Sequence, residues 1–152
     1  MQAVRIGLVG AGFMGKIHSI AYRNAAMLFG HEVPAVDPVV VTDFDPALAD
    51  RAVSDWGWSR SVRDWHDVTS SNDVDVVDIC TPNDTHVDIA LDALARGKHV
   101  LCEKPLALDG DGAHQTDPYC LHQESRPSRR RRGSLGTGPC VQGSPSWNST
   151  NC

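Results

Sequence analysis

Residues 4–15 read Val4-Arg5-Ile6-Gly7-Leu8-Val9-Gly10-Ala11-Gly12-Phe13-Met14-Gly15. Val4 to Val9 is a short apolar run broken only by Arg5, which predicts a buried strand. Phe13 to Ala26 contains no proline, and Phe13, Ile17, Ile20, Ala21 and Ala25 recur at the spacing of one helix face. Between the two lies Gly-x-Gly-x-x-Gly. Gly10 permits a tight turn, Gly12 lets the backbone approach a pyrophosphate, and Gly15 lets the helix pack close to the sheet. The helix N-terminus, with Phe13 and Met14 in its first turn, offers unpaired N–H groups and a positive dipole end to the phosphates. A glycine-rich turn without a ligand is the alternative, and the strand–turn–helix context disfavours it.

The same alternation continues outward. After a loop from Leu28 to Asp37, Val39 to Thr42 predicts a second strand. Asp45-Pro46 caps a helix over Ala47–Asp55, which Gly57 ends. Trp58 to Val62 is a short strand, and Asp64 opens a helical turn to Ser70. Val74 to Cys80 is the fourth strand, Thr85 to Ala95 a helix closed by Gly97, and His99 to Glu103 the fifth strand. Strands alternating with helices at this spacing predict an α/β fold: a doubly wound parallel sheet of the Rossmann type, cut off after its fifth strand.

Two further groups of residues share the carboxyl edge of that sheet with the glycine turn, where ligands of open α/β sheets bind. Asp43 ends the second strand. A carboxylate there accepts hydrogen bonds from ribose hydroxyls and repels a 2′-phosphate, which favours NAD over NADP; helix capping is the competing use of Asp43. Thr81-Pro82-Asn83-Asp84-Thr85-His86 follows the fourth strand and Glu103-Lys104-Pro105 the fifth. Lys104 is suited to stabilising negative charge on a substrate oxygen, although by residue type alone it reads equally well as a surface lysine.

Taken together, the glycine motif with His18 three beyond its last glycine, the acid at Asp43, DVVDICTPNDTH at 75–86 and GKHVLCEKP at 97–105 resemble the N-terminal domain of the Gfo/Idh/MocA oxidoreductases, from about Val4 to Leu108. The resemblance implies hydride transfer between NAD(P) and a sugar, inositol or related polyol. It implies that Lys104 assists catalysis and that Lys104 and Pro105, next to Glu103, line the nicotinamide end. It also implies that Thr81, Pro82, Asn83 and His86 flank the cofactor, with His86 read equally as a helix-start residue that touches no ligand. Family members continue into a second domain that supplies substrate contacts and an acid/base His with an Asp four residues before it. Nothing in this chain matches that pair: Asp111 and His114 are three apart.

Composition splits the chain in the same place. Residues 1–108 carry 9 basic and 15 acidic side chains; residues 109–152 carry five Arg, no Lys and four acids. Those last 44 positions hold only Leu121, Leu135 and Val141 of the Ile/Leu/Val class, too little apolar surface to offset ordering, and predict disorder. The domain division expected is therefore a nucleotide-binding domain over 1–115 and a tail over 116–152. The Arg/Ser/Gly/Pro composition of that tail, including Arg129–Arg132, is what a shifted reading frame of a GC-rich gene would produce. The net charge of −5 argues against nucleic-acid and membrane partners. Without an apolar run of membrane length or a signal segment, a cytoplasmic place is expected. Five Cys without a CxxC, and His31, His66 and His99 without ligand spacing, give no metal expectation. Cys80 and Cys102 read as buried small hydrophobes, and Trp56, Trp58 and Trp65 as packing around the third strand. The oligomeric state is open. The functional expectation is the nucleotide-binding portion of a polyol dehydrogenase, inactive alone; a non-catalytic NAD(H)-binding module and a non-functional truncated product are the alternatives.

Overall fold

The computed structural model describes residues 2–108, 110 and 112. The expectations for the tail over 116–152, and for Asp111 and His114, lie outside the described residues. Chain order is β1 (Val4–Val9), α1 (Phe13–Phe29), a 3-10 turn (Gly30–Glu32), β2 (Val36–Thr42), α2 (Pro46–Trp56), β3 (Arg60–Val62), α3 (Trp65–Thr69), β4 (Val76–Ile79), a second 3-10 turn (Asn83–Thr85), α4 (His86–Ala95) and β5 (His99–Cys102). The strands form one sheet in the order β3-β2-β1-β4-β5, with every neighbouring pair parallel. The chain winds outward from β1 to β3, then returns to β4 on the other side of β1. The crevice between the carboxyl ends of β1 and β4 is thus the point where the winding reverses.

The two-residue period of the strands sorts their side chains between two helical layers. Val9, Val40, Val77 and Ile79 pack with Val68 of α3 and Ile89, Ala90 and Ala93 of α4. Ile6, Leu8 and Val41 pack with Ala52 of α2 and Trp58 on the other face. Leu8, Val40, Val41, Val77 and Ile79 are fully buried, and such burial stabilises by roughly 1.5–3 kcal/mol per large side chain. Gly7 makes room on the α3 side, where a Cβ would come 2.5 Å from Val68 Cγ1.

The structure corrects two expectations. β2 begins at Val36 rather than Val39. Ile6 pairs with Pro38 and Gly7 with Val40, so Val39 is the extra residue of a bulge. Proline lacks a ladder donor, and a bulge is one of the few places a strand tolerates it. The second correction concerns α1. Its expected inward face is outside: Phe13, Ile17, Ile20 and Ala21 are exposed and Ala25 half-buried. The inward residues are Gly15 and Ser19, with His18 and Tyr22 half-buried beside them. The inward face meets polar partners among apolar ones: Tyr22 packs against the cluster of Ile6, Leu8, Val41 and Trp58, and Leu8 lies beneath Gly15. β4 turns Asp78 toward α1, and Trp58 presents its indole N–H, which donates to Ser19 Oγ at 3.0 Å. Periodicity finds the apolar stripe of a helix, and here that stripe is not the face that packs.

Element ends differ by a few residues elsewhere. α4 starts at His86 after the second 3-10 turn, and β5 ends at Cys102. β5 forms one edge of the sheet, and Leu101 on it is exposed. Among the described residues no helix is long and apolar enough to cross a membrane.

Candidate functional site

The glycine turn closes the carboxyl end of β1 against β4. Gly10 has φ of 101°, and a Cβ on it would lie 2.6 Å from the Cys80 carbonyl carbon and oxygen. Both the left-handed backbone and the contact with β4 require glycine. Its N–H donates to Thr42 O at 2.9 Å, which ties the turn to β2. At Gly15 a Cβ would sit 2.1 Å from the Gly10 carbonyl oxygen, so α1 rests directly on the turn. Gly12 differs: nothing lies within 4 Å of its Cβ position. It is the N-cap of α1, no side chain caps the helix, and the first turn holds no acid. The helix therefore opens with its N–H donors and positive dipole end aimed into free space, bordered by exposed Phe13 and Met14. A site of helix donors with no acid in the first turn of α1 fits a diphosphate.

Asp43 stands beside this mouth. Its Oδ2 accepts from Ala11 N–H at 2.6 Å and its Oδ1 from Asp45 N–H at 2.8 Å. Capping of α2 belongs to Asp45, whose Oδ1 accepts from Ala47 N–H at 3.0 Å. Asp43 is thus free of capping and is held against the glycine turn, half-buried. Phe44 next to it is fully exposed. Sequence reading passed over Phe44; its only signal was a large aromatic residue directly after the acid at a strand end.

The two remaining loops meet through His86. That side chain is completely buried, with Nε2 2.8 Å from Thr81 O and Nδ1 2.9 Å from Pro105 O. It spans the loops after β4 and β5 and does not open onto the crevice. Thr85 Oγ1, 2.7 Å from Thr81 Oγ1 and 2.8 Å from Pro82 O, braces the first loop. Pro82, Asn83, Lys104 and Pro105 are exposed, and Thr81 and Glu103 half-buried. The Lys104–Pro105 peptide is cis. Glu103 N–H donates to Ile79 O at 2.9 Å and so continues the ladder beyond β5. Lys104 is the first residue past that anchor.

Beneath the turn lies a polar cluster that sequence reading noted only through His18 of the glycine motif. His18 Nδ1 is 2.9 Å from Asp78 Oδ2, and its Nε2 is 3.1 Å from Glu103 Oε1. Tyr22 O–H donates to Asp78 Oδ2 at 2.7 Å. The Asp78 hydrogen bond raises the His18 pKa above its ordinary value, and the Asp78 and Glu103 charges add to it, against the cost of burial. Burial, reinforced by Asp78, pushes the Tyr22 hydroxyl and the Cys80 thiol up. Cys102 is pushed up to about 12, mainly by burial. Both cysteines are half-buried rather than fully so, and both stay protonated and inert near neutral pH.

A cavity of about 490 Å³ lies at the opposite, amino edge of the sheet, lined by Arg5, Asn72, Asp75, Lys98 and His99 among others. Its charges are used internally. Arg5 pairs with Asp75 at 2.6 Å, and Lys98 Nζ donates to the Ser71 and Val74 carbonyls. The carboxyl edge, with its unfilled donors, is the chemically open side.

Comparison with known proteins bears on the fold and the cofactor class. Residues 4–124 match the Gfo/Idh/MocA oxidoreductase family, NAD-binding Rossmann fold. A levoglucosan dehydrogenase of Pseudarthrobacter phenanthrenivorans is 45% identical over 113 residues, which are 73% of this chain and 28% of that protein. An inositol 2-dehydrogenase of Burkholderia vietnamiensis is 38% identical over 112 residues, 73% of this chain and 31% of its own length. Among solved structures, a levoglucosan dehydrogenase in complex with NADH superposes with a TM-score of 0.76 at 38% identity, covering 79% of this chain and 32% of that one. The chain thus spans about three tenths of the length of the relatives it matches.

Proposed function

This chain belongs to the Gfo/Idh/MocA oxidoreductase family with an NAD-binding Rossmann fold, and from that premise we propose that it is the nucleotide-binding portion of a sugar or polyol dehydrogenase. The observation that carries the reading is the uncapped N-terminus of α1 with open space over Gly12. Gly10, Gly12, Phe13, Met14 and Gly15 hold the diphosphate through backbone N–H groups. The free lone pairs of Asp43 accept the ribose hydroxyls and its charge disfavours a 2′-phosphate, so NAD is preferred to NADP. Exposed Phe44 covers the adenosine side. Thr81, Pro82 and Asn83 border the dinucleotide on the β4 side. His86 positions that loop and Pro105 through their carbonyls and is not itself a ligand contact.

When bound, the nicotinamide supplies the hydride acceptor or donor. Lys104, exposed at the end of β5, is the catalytic residue of the proposal: its ammonium stabilises negative charge on a substrate oxygen as hydride moves. Glu103 and Pro105 fix it on either side. The proposal includes that the chain as given binds NAD(H) and does not turn over a polyol. The boundary at residue 115, a shifted reading frame beyond it and a cytoplasmic place belong to the same proposal. The family match runs on to residue 124, so sequencing codons 110–130 is the direct test of the frame. An intact frame there removes that element and leaves the site untouched.

Calorimetry with NADH tests the site. The wild-type chain binds NADH more tightly than NADPH, and Gly12→Val abolishes the heat. Absence of heat with the wild-type chain refutes the binding reading, and turnover of a polyol by the isolated chain refutes inactivity.

A further inference from the structure

Among the described residues, His18, Asp78 and Cys80 form a group of side chains of metal-ligand type, with candidate atoms within 4.8 Å of one another. The hydrogen bonds favour a different use of it. Both ring nitrogens of His18 face carboxylate oxygens, Asp78 Oδ2 at 2.9 Å and Glu103 Oε1 at 3.1 Å. A carboxylate only accepts, so each nitrogen has to donate, and a neutral imidazole has only one N–H. An imidazolium satisfies both oxygens and leaves no lone pair for a metal. Its charge also meets a structural need. Asp78 is fully buried, and a carboxylate in that position requires a counter-charge as well as donors.

We propose that His18 is a positioning residue: its imidazolium ties buried Asp78 to Glu103 and thereby holds the Glu103–Lys104–Pro105 loop, which is released when the ring loses its proton. Glu103 is the coupling member. Its Oε1 accepts from His18 Nε2–H and its Oε2 accepts from Lys104 N–H at 3.3 Å, so one carboxylate joins the histidine to the lysine backbone. The remaining groups at the ring are Tyr22 on α1 and Cys80 after β4, and Cys102 on β5 lies within the field of Asp78 and Glu103. Tyr22 donates to Asp78 Oδ2, and Cys80 Sγ lies 3.4 Å from Nδ1 and 3.6 Å from Asp78 Oδ1. Both remain protonated, so none of these groups replaces the proton His18 gives up. His18 and Glu103 keep about a fifth of their side-chain surface exposed, which lets the proton exchange with solvent. The raised His18 pKa agrees with this geometry. Only the catalytic consequence rests on the role proposed for Lys104; the latch itself is a property of the chain without cofactor.

The test is nitrogen-detected NMR of the histidine rings in the full chain, without cofactor, across pH 5–10, with His18 assigned by its loss in His18→Gln. The proposal expects a doubly protonated ring at pH 7 and a midpoint above the ordinary histidine value. It expects the Glu103 and Lys104 backbone amides to titrate with that same midpoint and to lose this titration in His18→Gln. Glu103→Gln lowers the midpoint by about one pH unit, since one of the two anionic partners is gone. A merely structural histidine would leave the amides of Glu103 and Lys104 flat across the titration. A ring neutral at pH 7, or amides that do not follow it, overturns the proposal. If His18→Gln fails to fold, the Glu103→Gln midpoint and the wild-type amides still decide. NADH calorimetry on the same samples separates the two readings: no heat at any pH, with amide coupling intact, defeats the cofactor reading and keeps the latch.

Discussion

Substitutions at Gly15 and Gly12 should pull fold and ligand binding apart, although the two glycines are three residues apart in one motif. At Gly15 the added Cβ meets the Gly10 carbonyl oxygen at 2.1 Å, Gly10 C at 3.1 Å and Leu8 Cδ2 at 3.2 Å. The nearest partner is backbone and does not swing away, so α1 has to lift from the turn by about 1 Å, and overpacking of that kind costs roughly 1–3 kcal/mol. Alanine returns about 0.5–1 kcal/mol over glycine within a helix. At mid-range the net loss for Gly15→Ala is roughly 1 kcal/mol, which for a domain of this size lowers Tm by about 4–8 °C. At Gly12 the Cβ enters open space, and serine is a better N-cap than glycine by a few tenths of a kcal/mol. Gly12→Ser therefore melts at or slightly above the wild-type temperature. Its hydroxyl caps the N–H groups that the diphosphate would use, and NADH affinity drops about tenfold or more, a loss of about 1.4 kcal/mol. Thermal melts followed by circular dichroism, with calorimetric NADH titrations on the same preparations, give both numbers. A Gly15→Ala protein that melts with the wild type would refute the close-contact reasoning. A Gly12→Ser protein that melts as low as Gly15→Ala would refute the assignment of open space to ligand.

Four other outcomes follow from particular residues. The Asp75 carboxyl is held at about 2 by its hydrogen bonds to Arg5, below its unfolded value of about 3.9, so this pair's stabilisation is complete above pH ~4 and is lost as pH falls through ~2. Because the pair is about one-third exposed and screened by solvent, Arg5→Gln lowers the urea midpoint only slightly at pH 7 and by less at pH 2, where much of the pairing is already lost. His18 works with the opposite sign: its pKa is raised on folding, so its contribution is full below the unfolded value and disappears as pH rises through the folded one, and His18→Gln should unfold more easily at pH 6 but no more easily at high pH. Ser19→Ala strips the acceptor from the buried Trp58 indole N–H and costs about 1–3 kcal/mol; adding Trp58→Phe then costs less than it does in the wild type, which a double-mutant cycle of melts would show. Finally, Asp43→Ser combined with Phe44→Arg removes the charge that repels a 2′-phosphate and supplies one that attracts it. The ratio of NADPH to NADH affinity should rise by about tenfold or more in calorimetry; an unchanged ratio would move cofactor choice away from this strand end.

Much of this chain was legible before any coordinates, because the relevant constraints are local. Gly-x-Gly-x-x-Gly after an apolar run states a strand, a turn and a helix start, and the structure repeats it with Gly10 in the left-handed region and Gly15 against the Gly10 carbonyl. Asp45-Pro46 and Asp64 mark helix starts through side-chain caps that reach only two residues along the chain, and both caps form. The alternation of β-branched runs with helical ones implied a parallel sheet, and the strand order carried it out.

What lay beyond sequence reading depends on residues far apart in the chain. Which face of α1 packs was set by Asp78 and Trp58, 60 and 39 residues from the side chains they meet, and the apolar stripe pointed the wrong way. His86 reads in sequence as a cofactor neighbour or a helix start; it is the first residue of α4, and what the sequence does not show is its ring bridging the carbonyls of Thr81 and Pro105. The ionic tie from His18 to Asp78 and Glu103 joins α1, β4 and the end of β5, and no spacing within one segment encodes it. Hydrophobic period and turn chemistry act over a few residues, so they determine elements and their order. A buried polar contact depends on how distant elements stack, so only the tertiary structure decided which side chains share a proton.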